Sequence, residues 1–151
     1  LASATFSVSR QQDRWQLTIG GLQGPRSNIS HEVIKRATRA CYGLFPKRLL
    51  MEFIWLMAAR CGIQHIYGVS DNGHVFRALR YRLSKGRHFH ASYDEFWQSI
   101  EGVADGAWRW RLPLKLERKT LESIASKKRA EYRRRFQLLD DMAAQMTILI
   151  D

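Results

Sequence analysis

Apolar residues recur along this chain with two different periods. Near its start, "ATFSVSRQQ" places Phe6 and Val8 on alternate positions, and "RWQLTIGGLQG" does the same with Trp15, Leu17 and Ile19. A period of two predicts strands, and the polar stretch Gln11 to Asp13 between them predicts a hairpin turn. Gly20, Gly21, Gly24 and Pro25 end the second strand. The period then lengthens. Ser30 is a suitable N-cap for a helix over "HEVIKRATRACYG", which Gly43 and Pro46 terminate. A second helix is expected from Pro46 or Lys47 to Cys61. Leu49, Leu50, Phe53, Ile54, Met57, Ala58 and Cys61 recur there at helical spacing. Trp55 and Leu56 lie outside that stripe, so this helix should be covered on more than one side.

After Gly62, "IQHIYGVS" reads as a buried strand. The order strand, helices, strand places it parallel to the strand before the helices, through a right-handed crossover. "HVFRALRYRL" is read as a strand, and Ser92 as the cap of a short helix over "YDEFWQSI". "AWRWRLPL" alternates Trp108, Trp110 and Leu112 with Arg109 and Arg111, which predicts a strand with its tryptophans in the core. A closing helix starts at a cap on Ser126 and carries Tyr132, Phe136, Leu139, Ala143, Met146 and Ile150 as one stripe. The pattern predicts an α+β fold: a mixed, mainly antiparallel sheet with packed helices, in a single domain over residues 1–151.

Composition adds a core and a charge. Apolar residues make up 45% of the chain, which suffices for a packed interior. Lysine and arginine number 25 against 14 acidic residues, a net charge of +11. Such an excess selects an anionic partner: an acyl donor or other phosphorylated ligand, a phospholipid headgroup, an acidic protein or nucleic acid. No helix-turn-helix, zinc finger or RNP signature favours nucleic acid. Cys41 and Cys61 both fall in helical stretches and are expected to be buried thiols, with no disulfide. The longest apolar run, Leu49 to Ala59 broken by Glu52, is shorter than the about 20 residues needed to cross a bilayer. A cytoplasmic protein, peripheral at the inner membrane, is the expected setting.

The charge is densest where the last helix begins. Lys127 to Arg135 holds six cations in nine positions, although helix starts favour acid. On a helical wheel Lys127 and Arg134 fall opposite the apolar stripe, as solvated charges, and Glu131 can pair with Arg135. Lys128 and Arg129 fall near the stripe and lean inward, where the exposed amides and the helix dipole are also positive. Their counterpart is either a carboxylate of the chain, Asp71, Asp94 or Asp105, or a bound phosphate or carboxylate ligand.

A second anion candidate is the strand-to-helix turn of Gln23, Gly24, Arg26 and Ser27. Dinucleotide and P-loop fingerprints are absent there. Three other clusters have bland readings. His88, His90 and Asp94 could ligate a metal but read as solvated loop residues, and no metal site is assigned. Ser70, Asp71 and His74 crowd into one tight turn, unlike the separated elements of a triad. Trp108 to Arg111 reads as a core strand and not as a stacking platform.

The stretches "IGGLQGPR", "IKRATRACYGLFPKRLLMEFIW", "GIQHIYGVSDNGHVF", "YDEFWQSIEG", "WRLPL" and "SKKRAEYRRRFQLLD" together resemble the VirK/YbjX family of Gram-negative bacteria, a domain of unknown function. The resemblance implies a virulence or envelope-stress association, including tolerance of cationic antimicrobial peptides. It also implies that this chain is the C-terminal part of a longer one. The element order is similar to that of GNAT-superfamily acyltransferases, which implies acyl-CoA or acyl carrier protein as donor. That superfamily's pyrophosphate loop needs glycines where Arg26 and Asn28 stand, and Pro25 removes an amide.

Overall fold

The computed structural model of the chain describes residues 1–72 and 93–150. The fold is α+β, with a five-stranded mixed sheet in the order β1-β2-β3-β5-β4. The chain clusters into two compact units. One comprises Ala4–Leu22 and Ile63–Leu116; the other comprises Leu1–Ser3, Gln23–Gly62 and Glu117–Asp151.

The first unit is built on the sheet. Strands β1 (Ser3–Gln11) and β2 (Arg14–Gln23) are joined through Gln12 and Asp13. Both turn residues have positive φ, 51° and 62°, as a two-residue hairpin with the twist of its strands requires. Strand β3 (His65–Val69) runs parallel to β2, with Leu17 opposite Ile66 and Ile19 opposite Gly68. Strand β5 (Arg109–Leu112) pairs antiparallel with β3, and β4 (Val103–Asp105) antiparallel with β5. Leu17, Ile19 and Ile66 are fully buried on one face. The short helix α3 (Tyr93–Ser99) packs there, and the Trp97 indole Nε1 donates to the Val69 carbonyl at 3.0 Å. A Cβ on Gly68 would collide with that indole, so this position requires glycine.

One aromatic position departs from expectation. Trp108 is 64% exposed, not core: it belongs to the turn before β5, so the strand's alternation does not reach it. Its carbonyl instead accepts the Ser70 amide at 2.9 Å. Phe6 and Val8 are also exposed, because β1 is an edge strand.

The second unit is helical. Helix α1 (His31–Ala40) is capped as expected: the Ser30 hydroxyl accepts from the Val33 amide at 3.4 Å. Helix α2 (Pro46–Arg60) opens on Pro46. Its buried face is Met51, Ile54, Trp55 and Ala58, whereas Leu49, Leu50 and Met57 are half-buried and Phe53 is exposed. The predicted stripe therefore shares only Ile54 and Ala58 with the face that is buried. Cys61 is exposed as the C-cap of α2 and Cys41 is half-buried, so neither thiol is a core residue. Helix α4 (Arg129–Ile150) packs along α2 and buries Leu139 and Met146. Ser126 does not cap it; Ser126–Lys128 forms a separate 3₁₀ turn. The Arg135 Nε donates to the Tyr42 carbonyl at 2.9 Å, which ties α4 to the α1–α2 turn. The strand expected over residues 74–83, the Ser92 cap, and His74, His88 and His90 lie outside the described residues.

Candidate functional site

The cations around the start of α4 divide into two groups. Arg129 is turned back on the chain. Its Nε donates to the carbonyls of Leu121 at 2.9 Å and Ile124 at 3.0 Å, and Nη2 reaches that of Glu122 at 3.4 Å. The inward lean expected of Arg129 is real, but its counterpart is the carbonyl edge of the preceding 3₁₀ turn, Leu121–Ser123. These bonds use the Nε proton and one Nη2 proton of the five the guanidinium can donate. Arg118 pairs with Asp140 at 2.7 Å and Arg135 with Glu131 at 3.4 Å.

The other group is unpartnered. Lys127, Lys128, Arg133 and Arg134 are exposed, and their side chains make no hydrogen bond or ion pair among the described residues. Lys128 thus departs from the expected inward lean, because it lies in the 3₁₀ turn and outside the α-helical wheel. On a helical wheel Arg134 falls about 130° from the mean direction of the buried Leu139 and Met146, given 3.6 residues per turn. The positive end of the helix dipole lies beside them. Sequence reasoning set aside Lys127 and Arg134 as plain solvated charges. The signal it lacked was which neighbouring cations the chain would consume internally.

The expected anion turn is open. Gln23, Arg26 and Ser27 are exposed, and Gly24 is half-buried. A Cβ on Gly24 would meet nothing within 4 Å, so no close backbone approach demands glycine there. The Ile29 amide bonds to the Arg26 carbonyl at 3.0 Å, an ordinary turn that delivers Ser30 to its capping position. Among the described residues, no hydrogen bond or ion pair joins this turn to Lys128 or Arg129.

The helical unit also contains a cavity of about 430 Å³. Its walls include Ala37 of α1 and Cys41 just after it, Leu49, Leu50 and Phe53 of α2, Met142 of α4, and Leu1 and Ala2. No charged side chain lines it. Three residues of the helical stripe read from α2, Leu49, Leu50 and Phe53, line this cavity, which explains why they are not fully buried. The anion-candidate turn is not part of this cavity, since Gln23 to Ser27 contribute nothing to its walls.

In the sheet unit, distant motifs meet at the end of β3. Asp94 Oδ1 accepts from the Asp71 amide at 3.0 Å and from Trp110 Nε1 at 2.9 Å. Asp71 Oδ1 accepts from the Tyr93 amide at 2.8 Å, and the buried Ser70 hydroxyl donates to the Ala107 carbonyl at 2.9 Å. Both carboxylates thus accept backbone hydrogen bonds that tie the residues after β3 to the start of α3. Asp105 pairs with Arg109 at 2.9 Å. Among the described residues no group of three or more potential ligands could hold a metal ion. No helix among them is long and apolar enough to cross a membrane.

Comparison with known proteins places the chain beside uncharacterised relatives. Residues 1–147 match the family model described as protein of unknown function, DUF535. The chain is 47% identical over 149 residues to the uncharacterized protein YbjX of Escherichia coli (strain K12), covering 99% of this chain and 45% of that protein. It is 38% identical over 128 residues to an uncharacterized protein of Haemophilus influenzae, covering 85% of this chain and 42% of that one. A shorter match, 36% identical over 53 residues, is to a protein of Mannheimia haemolytica named membrane protein LapB, covering 35% of this chain and 24% of that protein. The chain therefore spans less than half the length of these relatives. No solved structure matches it.

Proposed function

Because the chain belongs to the DUF535 family, the VirK/YbjX family of unknown function, its role has to be argued from its chemistry, and we propose that it is a basic module that docks on anionic phospholipid at a membrane surface. One observation carries this reading: Lys127, Lys128, Arg133 and Arg134, four exposed cations around the start of α4 whose side chains have no partner among the described residues. Clusters of four to eight lysines and arginines on an amphipathic helix attract anionic lipid, each contributing about 1 kcal/mol near the surface. Four such charges supply about 4 kcal/mol on that scale, enough for reversible attachment without a spanning segment. The name of the Mannheimia relative, a membrane protein, is in keeping with this. So is the envelope-stress association that the family resemblance implies, since cationic peptides act on the same anionic surface.

Sedimentation with vesicles tests it. The protein should bind phosphatidylglycerol vesicles and not phosphatidylcholine vesicles, and high salt should release it. Replacing Lys127, Lys128, Arg133 and Arg134 by alanine should abolish binding. Equal binding to both kinds of vesicle would end the proposal, as would tight binding to nucleic acid with none to either.

An acyltransferase reading draws on the GNAT-like element order, with acyl-CoA or acyl carrier protein as donor. It would use Gln23, Gly24, Arg26, Ser27 and Lys128 as anion contacts. The apolar cavity is the observation that favours an acylated ligand of some kind, and thermal stabilisation by acyl-CoA is its test.

A further inference from the structure

We infer that strand β1 is a pairing edge for a second copy of this chain, and that two copies join their sheets antiparallel about Ser7 into a closed dimer. Strand β1 is nine residues long and stands at one end of the sheet. The two-residue turn makes Gln11 and Arg14 a hydrogen-bonded pair and sets the register, with Val8 opposite Leu17 and Phe6 opposite Ile19. Across that pairing, Gln16 Nε2 donates to Ser9 Oγ at 3.2 Å. Antiparallel ladders bond alternate residues, so Ala4, Phe6, Val8 and Arg10 direct their amides and carbonyls away from β2. Among the described residues no strand takes up these groups. The edge also lacks the usual protection, since β1 holds no proline, lysine or acidic residue. Its apolar side chains are left in water: Phe6 is 41% exposed, Val8 47%, and Trp15 on the same face 44%.

The order of residues along β1 selects the partner. Antiparallel pairing of this strand with itself over its full length is centred on Ser7. Phe6 then faces the partner's Val8, Thr5 faces the partner's Ser9, and Ala4 faces the partner's Arg10. Apolar meets apolar and hydroxyl meets hydroxyl, the kinds of cross-strand pair that stabilise a sheet. The free backbone groups coincide as well. Each of Ala4, Phe6, Val8 and Arg10 meets a residue whose own amide and carbonyl point outward, so every unused group finds a partner. A shift of one residue misaligns these groups, and a shift of two shortens the ladder. Charge does not oppose the join: Arg10 is paired with Asp13 at 3.1 Å. The two Arg10 side chains would stand about 20 Å apart along the ladder, beyond the screening length of about 8 Å. Association stops at two copies because the sheet's other edge is β4, three residues ending in Asp105, too short to template a further strand. The inference stands independently of the lipid-docking proposal.

Sedimentation equilibrium of the intact chain tests it without any variant. The mass should rise with concentration from the 17.6 kDa of one chain to twice that value and stop there. Phe6→Lys with Val8→Lys sets like charges opposite one another and should weaken association at least tenfold. Phe6→Glu with Val8→Glu should do the same, and the two variants mixed in equal amounts should pair with each other. Disulfide capture reads the register, in a background of Cys41→Ser and Cys61→Ser. Ser7→Cys should form a linked dimer on mild oxidation, since the two Ser7 Cα atoms would lie about 4.5 Å apart. Thr5→Cys should not, because its own counterpart would lie four residues away along the ladder. A wild-type mass that stays at one chain would overturn the inference, as would a mass that climbs past two. A dimer unaffected by Phe6→Lys with Val8→Lys, or equal capture by Ser7→Cys and Thr5→Cys, would overturn it too.

Discussion

Arg129 Nε donates to the Leu121 carbonyl at 2.9 Å, and the same guanidinium reaches the carbonyls of Ile124 and Glu122. A side chain that sequence reasoning offers to a ligand is thereby committed to closing the segment that leads into α4. Arg129→Ala should lower stability by about 2 kcal/mol, since bonds from a charged donor contribute about 1.5–3 kcal/mol and the freed carbonyls lose their partner. Lys128→Ala should change stability by less than about 0.5 kcal/mol, as expected of an exposed surface position. Urea unfolding of the two variants checks the contrast. Equal losses would contradict the division between structural and docking cations.

A related prediction concerns Asp94. Its Oδ1 serves both the Asp71 amide and the Trp110 indole. Asp94→Ala leaves two donors without an acceptor, at about 1–3 kcal/mol for each that stays buried. Asp94→Asn keeps one carbonyl oxygen in place and should recover more than half of the loss. Thermal unfolding of both variants measures this. An asparagine variant as unstable as the alanine variant would show that the hydrogen bonds are not what holds the end of β3.

Two glycines separate a structural turn from a ligand cradle. Gly43 has φ of 90°, and a Cβ there would strike the Arg135 guanidinium and sit 2.8 Å from Glu131 Oε1. Gly43→Ala should destabilise by about 1–3 kcal/mol through strain and crowding. Gly24 has open space around it, and its φ is not positive. Gly24→Ala should be neutral, or stabilise by about 0.4–1 kcal/mol through the unfolded chain. If Gly24→Ala weakened anionic-ligand binding while stability held, the Gln23 to Ser27 turn would regain its standing as an anion site.

Much of the fold was legible in the sequence because its signals are local. The alternation through Leu17 and Ile19, the cap at Ser30, Pro46 and the stop at Gly62 each act within a few residues. The parallel pairing of β2 with β3 followed from connection rules. Trp108 was misplaced because an alternation that begins in a turn looks the same as one that begins in a strand. The α2 stripe was read correctly as apolar, but periodicity cannot distinguish a wall facing a cavity from a wall facing a core. Trp55, noted as lying off that stripe, was the hint that a second face carries the burial. The site was less legible for a physical reason. Whether a cation is free depends on where distant carbonyls and carboxylates fall, and neither the Leu121 carbonyl nor Asp140 announces itself through spacing.

The most direct test removes equal charge from two places. One variant replaces Lys127, Lys128, Arg133 and Arg134 by alanine; the other replaces the exposed Arg10, Arg14, Arg111 and Lys115 of the sheet unit. Each loses four positive charges, and partition onto phosphatidylglycerol vesicles is measured at one salt concentration. If the start of α4 is the docking surface, the first variant should bind at least a hundredfold more weakly, at about fivefold per charge removed, and the second should bind within about threefold of wild type. Equal losses in the two would mean that net charge alone drives adsorption, and would contradict a docking surface at that helix.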